Sequence, residues 1–192
     1  MKSGLLVAIF LSTASLTQAA TLFFGGTLSG PAEAPPNASP GTGTFLITID
    51  DVALSMFVHV VFSGLTGTVT AAHIHAGTAA PFIGTAGVAT PVPTFPGFPL
   101  GVTAGTYDMP FDMSAPPSWN PSFITANGGT PISAFGAFMG AVTTGRAYLN
   151  IHTTTFGGGE IRGFLVPVPE PTAAGLSGLA VAGLALGRRR RK

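Results

Sequence analysis

Phe45-Leu46-Ile47-Thr48-Ile49-Asp50-Asp51-Val52-Ala53-Leu54-Ser55-Met56-Phe57-Val58-His59-Val60-Val61-Phe62 carries the most regular pattern in the chain. From residue 53 onward every second side chain is apolar: Leu54, Met56, Val58, Val60 and Phe62 fall on one face. Ala53, Ser55, Phe57, His59 and Val61 fall on the other, the period of a β-strand. Residues 45–49 read as a partner strand, and Asp50-Asp51 as the tight turn between the two. Working outward, further strands are expected at 21–28, 71–76, 105–109, 146–153 and 160–165. Turn-forming clusters separate them at 35–43, 64–67 and 157–159. Short strands punctuated in this way predict a mainly-β domain, an antiparallel Greek-key-like sandwich or barrel.

Two stretches break the pattern. Residues 78–104 are apolar but carry Pro81, Pro91, Pro93, Pro96 and Pro99, too closely spaced for a central strand. They are expected to form a long surface loop, with at most a short edge strand at 84–89. The second break is helical. Asn120 before Pro121, and Thr130 before Pro131, each place a capping side chain ahead of a proline at the first helical position. Ile132, Phe135, Met139 and Val142 then form a helical stripe, and Gly145 can end it. One or two short helices are therefore expected before the last two strands.

Composition excludes several classes. Among 192 residues only 8% are charged, against a typical ~25%, which argues against a coiled coil or a charged disordered tail. With no cysteine, a disulfide framework, a thiolate metal site and a Cys nucleophile are all excluded. The net charge of +1 hides an uneven distribution. Between residues 21 and 166 there are two basic residues, Arg146 and Arg162, against six acidic ones. Such a body has no basic footprint for nucleic acid.

Both ends read as addresses. Lys2 precedes an apolar stretch at 5–11, and Thr17-Gln18-Ala19 supplies small residues for cleavage, so residues 1–20 are expected to be a secretory signal. The domain would then occupy 21–166. From 167 the chain carries Pro169-Glu170-Pro171, an uncharged run at 172–187, and the basic end Arg188-Arg189-Arg190-Arg191-Lys192. A helix over that run would be about 24 Å long, short of the ~30 Å hydrocarbon core. Arg snorkelling could close the gap and keep the basic end cytoplasmic. This order of motif, span and basic end resembles the PEP-CTERM sorting signal of Gram-negative bacteria that make exopolysaccharide. The resemblance implies processing by an exosortase-type protease, a transient inner-membrane anchor, and release or transfer to the cell surface.

Chemistry-bearing residues are few. His73 and His75, two apart on a strand, share one face, with Ile74 on the other. Tyr148, Asn150 and His152 line one face of a second strand, and Glu160 and Arg162 one face of a third. If these faces converge, His73, His75 and His152 with Glu160 would make a sufficient ligand set for Zn or Cu. The competing reading is a buried polar network of Tyr148, Asn150, Glu160 and Arg162, centred on a Glu160–Arg162 ion pair. His59, mid-strand between Phe57 and Val61, reads as a core or surface residue. No Gly-x-Ser-x-Gly elbow, facing carboxylate pair or phosphate loop points to an enzyme.

Leu28-Ser29-Gly30, Glu33 and Pro35-Pro36, with Gly41 and Gly43 before a strand, resemble the opening of the CHRD domain. Ala72-His73-Ile74-His75-Ala76-Gly77 resembles its central motif. Ala147-Tyr148-Leu149-Asn150-Ile151-His152-Thr153, followed by Gly159-Glu160-Ile161-Arg162-Gly163, resembles its closing motif. The resemblance covers about residues 22–165 and implies an extracellular β module without an established activity. His-x-His on a strand is also loosely similar to the copper strand of Cu,Zn superoxide dismutase. Four histidines in all, no cysteine pair and no His-rich zinc loop leave room for a single metal ion at most. The expectation is a non-catalytic surface or matrix protein without cofactor, contacting exopolysaccharide or neighbouring proteins. The alternative is a mononuclear Cu or Zn protein, or a superoxide-dismutase-like oxidoreductase, using His73, His75 and His152.

Overall fold

A computed structural model describes residues 21–169. Residues 1–20, expected above to be a secretory signal, and the tail from Glu170 through Pro171 to the basic end at 188–192, lie outside the described residues. Among the described residues there are eight strands: β1 (Thr21–Ser29), β2 (Thr42–Asp50), β3 (Ser55–Ser63), β4 (Val69–Ala76), β5 (Gly105–Asp112), β6 (Ala147–Thr153), β7 (Ile161–Phe164) and β8 (Val166–Pro167). Two helices, α1 (Pro121–Ala126) and α2 (Pro131–Thr143), precede β6. The strands form one antiparallel, curled sheet in the order β4-β6-β7-β1-β2-β3-β5, with β8 pairing to β1. β1, β2, β3 and β5 run as a meander, while β4 crosses to the far end of the sheet and pairs with β6. No helix among the described residues is long and apolar enough to cross a membrane.

The alternation at 55–62 does what the pattern predicts. Met56, Val58, Val60 and Phe62 are buried, opposite Ile49, Ile47 and Phe45 on β2 and Phe111 and Tyr107 on β5. The turn is wider than expected. The Asp50 side chain accepts hydrogen bonds from the backbone N–H of Val52 (3.0 Å) and Ala53 (2.7 Å). This Asx-type closure competes with the ladder, so residues 51–54 form the loop and β3 starts at Ser55. Leu54 takes φ of 51° there and still packs against the core from outside the strand.

Residues 78–104 depart further from expectation. They do not simply run over the surface but pair irregularly with the free edge of β4. Ala76 N–H donates to the Gly87 carbonyl, while the N–H groups of Ala89 and Phe95 donate to the carbonyls of Ile74 and Ala72. The hydroxyls of Thr90 and Thr94 accept from the N–H groups of Ile74 and Ala72. Prolines deny the segment a regular ladder, so no edge strand forms at 84–89, only a single bridge between His75 and Val88. Phe95 and Phe98 from this segment pack on Tyr107, joining the loop to the core near β5.

Both helix starts are capped as the sequence indicates. Asn120 accepts from the N–H of Ser122, and Thr130 forms a reciprocal capping box with Ser133. The buried stripe of α2 is rotated from the expected one. Ala134, Phe135, Phe138, Ala141 and Val142 face inward, whereas Ile132 is 65% exposed. Phe138, on the inward side of the helix, sits edge-on against Trp119. β8 adds Pro167, a residue assigned above to the tail, to the sheet.

Candidate metal centre

Register alone brings the histidines together. Across the β4–β6 ladder His73 lies opposite Asn150, His75 opposite Tyr148, and Ala71 opposite His152. On the next ladder Asn150 lies opposite Arg162. Since side chains alternate, His73, His75, Tyr148, Asn150, His152 and Arg162 share one face. Ala72, Ile74, Leu149, Ile151 and Ile161 take the other and enter the core. The ring centroid of His73 is 5.1 Å from that of His75 and 4.8 Å from that of His152. One ring nitrogen from each residue lies within 4.8 Å of those from the other two. Three points so spaced have a common point at most about 2.8 Å from each. Zinc–imidazole bonds are ~2.0–2.1 Å, so side-chain shifts below an ångström would close the set.

The second nitrogen of each ring is held by backbone. His75 Nδ1 is 2.8 Å from the Ala86 carbonyl, and His152 Nδ1 is 3.0 Å from the Gly157 carbonyl. His73 has a backbone hydrogen bond to Pro93, which has only a carbonyl to offer. A carbonyl only accepts, so the ring nitrogen facing it carries the proton and the other keeps its lone pair. Those other nitrogens, Nδ1 of His73 and Nε2 of His75 and His152, are buried and have no partner. Carbonyl-oriented imidazoles with free lone pairs are the usual outer support of a metal-ligating histidine.

Electrostatics keep the three rings neutral. Burial, reinforced by the neighbouring imidazoles His152 and His75, pushes His73 down to about 3. Burial likewise pushes His75 down to about 4, with Arg162 and His152 disfavouring its proton further. His152 is also lowered by burial. At neutral pH the site therefore offers three uncharged donors.

Beside them stands a second cluster. The Tyr148 ring stacks on His75 at 4.7 Å, and the Arg162 guanidinium lies 4.8 Å from the Tyr148 centroid. Arg162 donates through Nη1 to the Gly84 carbonyl at 2.9 Å and through Nε to the Ala32 carbonyl, tying two loops to the sheet. Its acidic neighbour is Glu33, 3.9 Å away, not Glu160. Burial raises the Glu33 carboxyl to about 7 against the opposing pull of Arg162, the Ala34 N–H and Asn150. A Cβ at Gly159 would come within 2.6 Å of Asn150 and 2.8 Å of Glu33, and its φ is +127°, so only glycine fits.

Glu160 departs from both roles given to it by sequence. β7 begins at Ile161, so Glu160 precedes the strand and does not share a face with Arg162. Its carboxylate accepts from the hydroxyls of Ser39 and Thr153 and from the N–H groups of Thr66 and Gly67. Thr153, next to His152, points to the opposite face of β6, which puts Glu160 across the sheet from the imidazoles. The ion pair and the carboxylate ligand are both corrected. Of the polar network, Tyr148, Asn150 and Arg162 come together, with Glu33 as their acid. His59 pairs with Asp108 at 2.7 Å on the exposed face, away from this site.

Pattern reading found the three histidines but missed the carbonyls of Ala86, Pro93 and Gly157, which belong to irregular segments without periodicity. The Gly157-Gly158-Gly159 turn was the available signal, though close packing demands glycine only at Gly159. The family model described as CHRD domain matches residues 24–165. No curated protein and no solved structure matches the chain. The match spans most of the chain, which belongs to the CHRD-domain family, consistent with an extracellular or periplasmic module without catalytic function.

Proposed function

We propose that this CHRD-domain protein acts outside the cytoplasm as a non-catalytic module holding one transition-metal ion between His73, His75 and His152. The observation that carries the reading is the set of three buried, unpartnered ring nitrogens. A purely structural histidine cluster would hydrogen-bond N–H to N within itself. Here the His75 and His152 protons face backbone carbonyls, so lone pairs are left without donors. An unsatisfied buried acceptor costs ~1–3 kcal/mol, and a cation removes that cost at all three together. Neutral imidazole suits copper and zinc alike. The test is the metal content of the exported protein, purified without a His-tag or chelator, beside a His73→Ala/His75→Ala variant. One copper or zinc per chain, lost in the folded variant, is expected. A wild type without metal after exposure to both ions would refute the site.

The route outward is read from the two ends. The 1–20 segment fits export, and the tail's Pro169-Glu170-Pro171, apolar run and basic end fit anchoring followed by exosortase-type processing. A contact role at the surface, towards exopolysaccharide or neighbouring proteins, is favoured by apolar side chains exposed on one segment: Phe82, Ile83, Val92, Leu100 and Val102. Replacing Phe82 and Ile83 by Ser should weaken retention of the protein by the producing cells' matrix. Unchanged retention would remove this part of the reading.

A further inference from the structure

We propose that the ion this site is built to hold is copper in its monovalent state rather than zinc, an inference that rests on the metal-binding reading above. Among the described residues the candidate ligand set is three imidazoles and nothing more. Zinc in proteins is almost always four-coordinate, so three histidines leave it a fourth vertex that water has to fill. His73 and His75 are both buried, which makes that vertex costly to hydrate. Monovalent copper, a closed-shell ion, is satisfied by three nitrogen donors in a plane.

Charge points the same way. The penalty for taking an ion out of water grows with the square of its charge, so a divalent ion needs an anion close by. Neither buried carboxyl belongs to the ligand set. Glu160 lies across the sheet with four hydrogen bonds to its oxygens. Glu33 turns Oε2 to Arg162 and Asn150, and although its Oε1 is buried without a partner, the residue lies outside the three-histidine group. The charge next to this stack is instead the cation Arg162, 4.8 Å from the centroid of the Tyr148 ring that stacks on His75. A site of neutral donors, backed by a cation and supplied with no anion, favours the lower ionic charge. The three carbonyl-held rings also fix a three-ligand geometry before any ion arrives, which penalises an ion that needs a fourth donor.

The test offers the metal-free exported protein monovalent copper under anaerobic conditions and divalent zinc, singly and together, against chromophoric chelators. X-ray absorption then counts the donors in each complex. The expected result is one copper(I) per chain with three nitrogen donors, and zinc displaced when both ions are present at equal concentration. A folded His152→Ala protein should lose that copper, while Tyr148→Phe should keep it. Zinc held more tightly than copper(I), as a four-coordinate ion, would overturn this inference and leave the metal site standing. Failure to bind either ion would overturn both.

Discussion

Glu33 and Glu160 are both buried carboxyls, and their surroundings drive them in opposite directions. Burial works to raise Glu160, but hydrogen bonds from Ser39, Thr153, Thr66 and Gly67 bring it below its ordinary value. It is therefore a charged anchor for three separate segments. Removing it strands four donors, so Glu160→Ala should destabilise by about 3–5 kcal/mol in chemical denaturation. A loss below ~1 kcal/mol would mean that those donors find other partners. Glu33, facing Arg162, Asn150, Tyr148 and the Ala34 N–H, is raised from 4.5 to about 7. The folded protein binds this proton more tightly than the unfolded chain does. Its contribution is thus complete below pH 4.5 and lost as pH rises through about 7. Relative to Glu33→Gln, wild type should lose about 3 kcal/mol between those limits. Parallel pH–stability curves for the two proteins would contradict this assignment. Sequence made the histidines legible because a period of two fixes which side chains share a face. The same rule misled for Glu160, because β7 starts one residue after it.

At the scale of elements, the segment at 78–104 does the least expected work. It covers the edge of β4, where an unpaired strand would otherwise template association with another chain. It also delivers the Ala86 and Pro93 carbonyls to the histidines. Thr90→Val keeps the shape but removes the acceptor for the buried Ile74 N–H, 2.8 Å away. The expected cost is ~1–3 kcal/mol, with amide exchange at Ile74 accelerated. Unaltered exchange there would show that the hydroxyl is dispensable. Helix α2 offers a simpler check: Thr130→Ala removes the cap and should cost ~1 kcal/mol by thermal melting. The helices were legible because caps and prolines are local signals. The loop was not, since its hydrogen bonds to the preceding β4 are irregular and leave no periodic mark in the sequence.

For the whole molecule, one curled sheet separates two environments. One apolar side forms the core, and the other face of β4, β6 and β7 gathers His73, His75, Asn150 and Arg162, while Glu160, Ser39 and Thr153 form a separate buried polar cluster. Strand alternation and turn clusters disclosed the mainly-β antiparallel architecture. They could not disclose that β4 crosses to pair with β6, because that pairing is long-range and leaves no local mark. The crossing creates the site by setting His73 and His75 beside His152. The most direct measurement is anomalous X-ray diffraction from crystals of the copper-loaded protein. The account predicts one peak about 2 Å from Nδ1 of His73 and from Nε2 of His75 and His152. No peak between the rings, or imidazoles hydrogen-bonded to one another in its place, would contradict it.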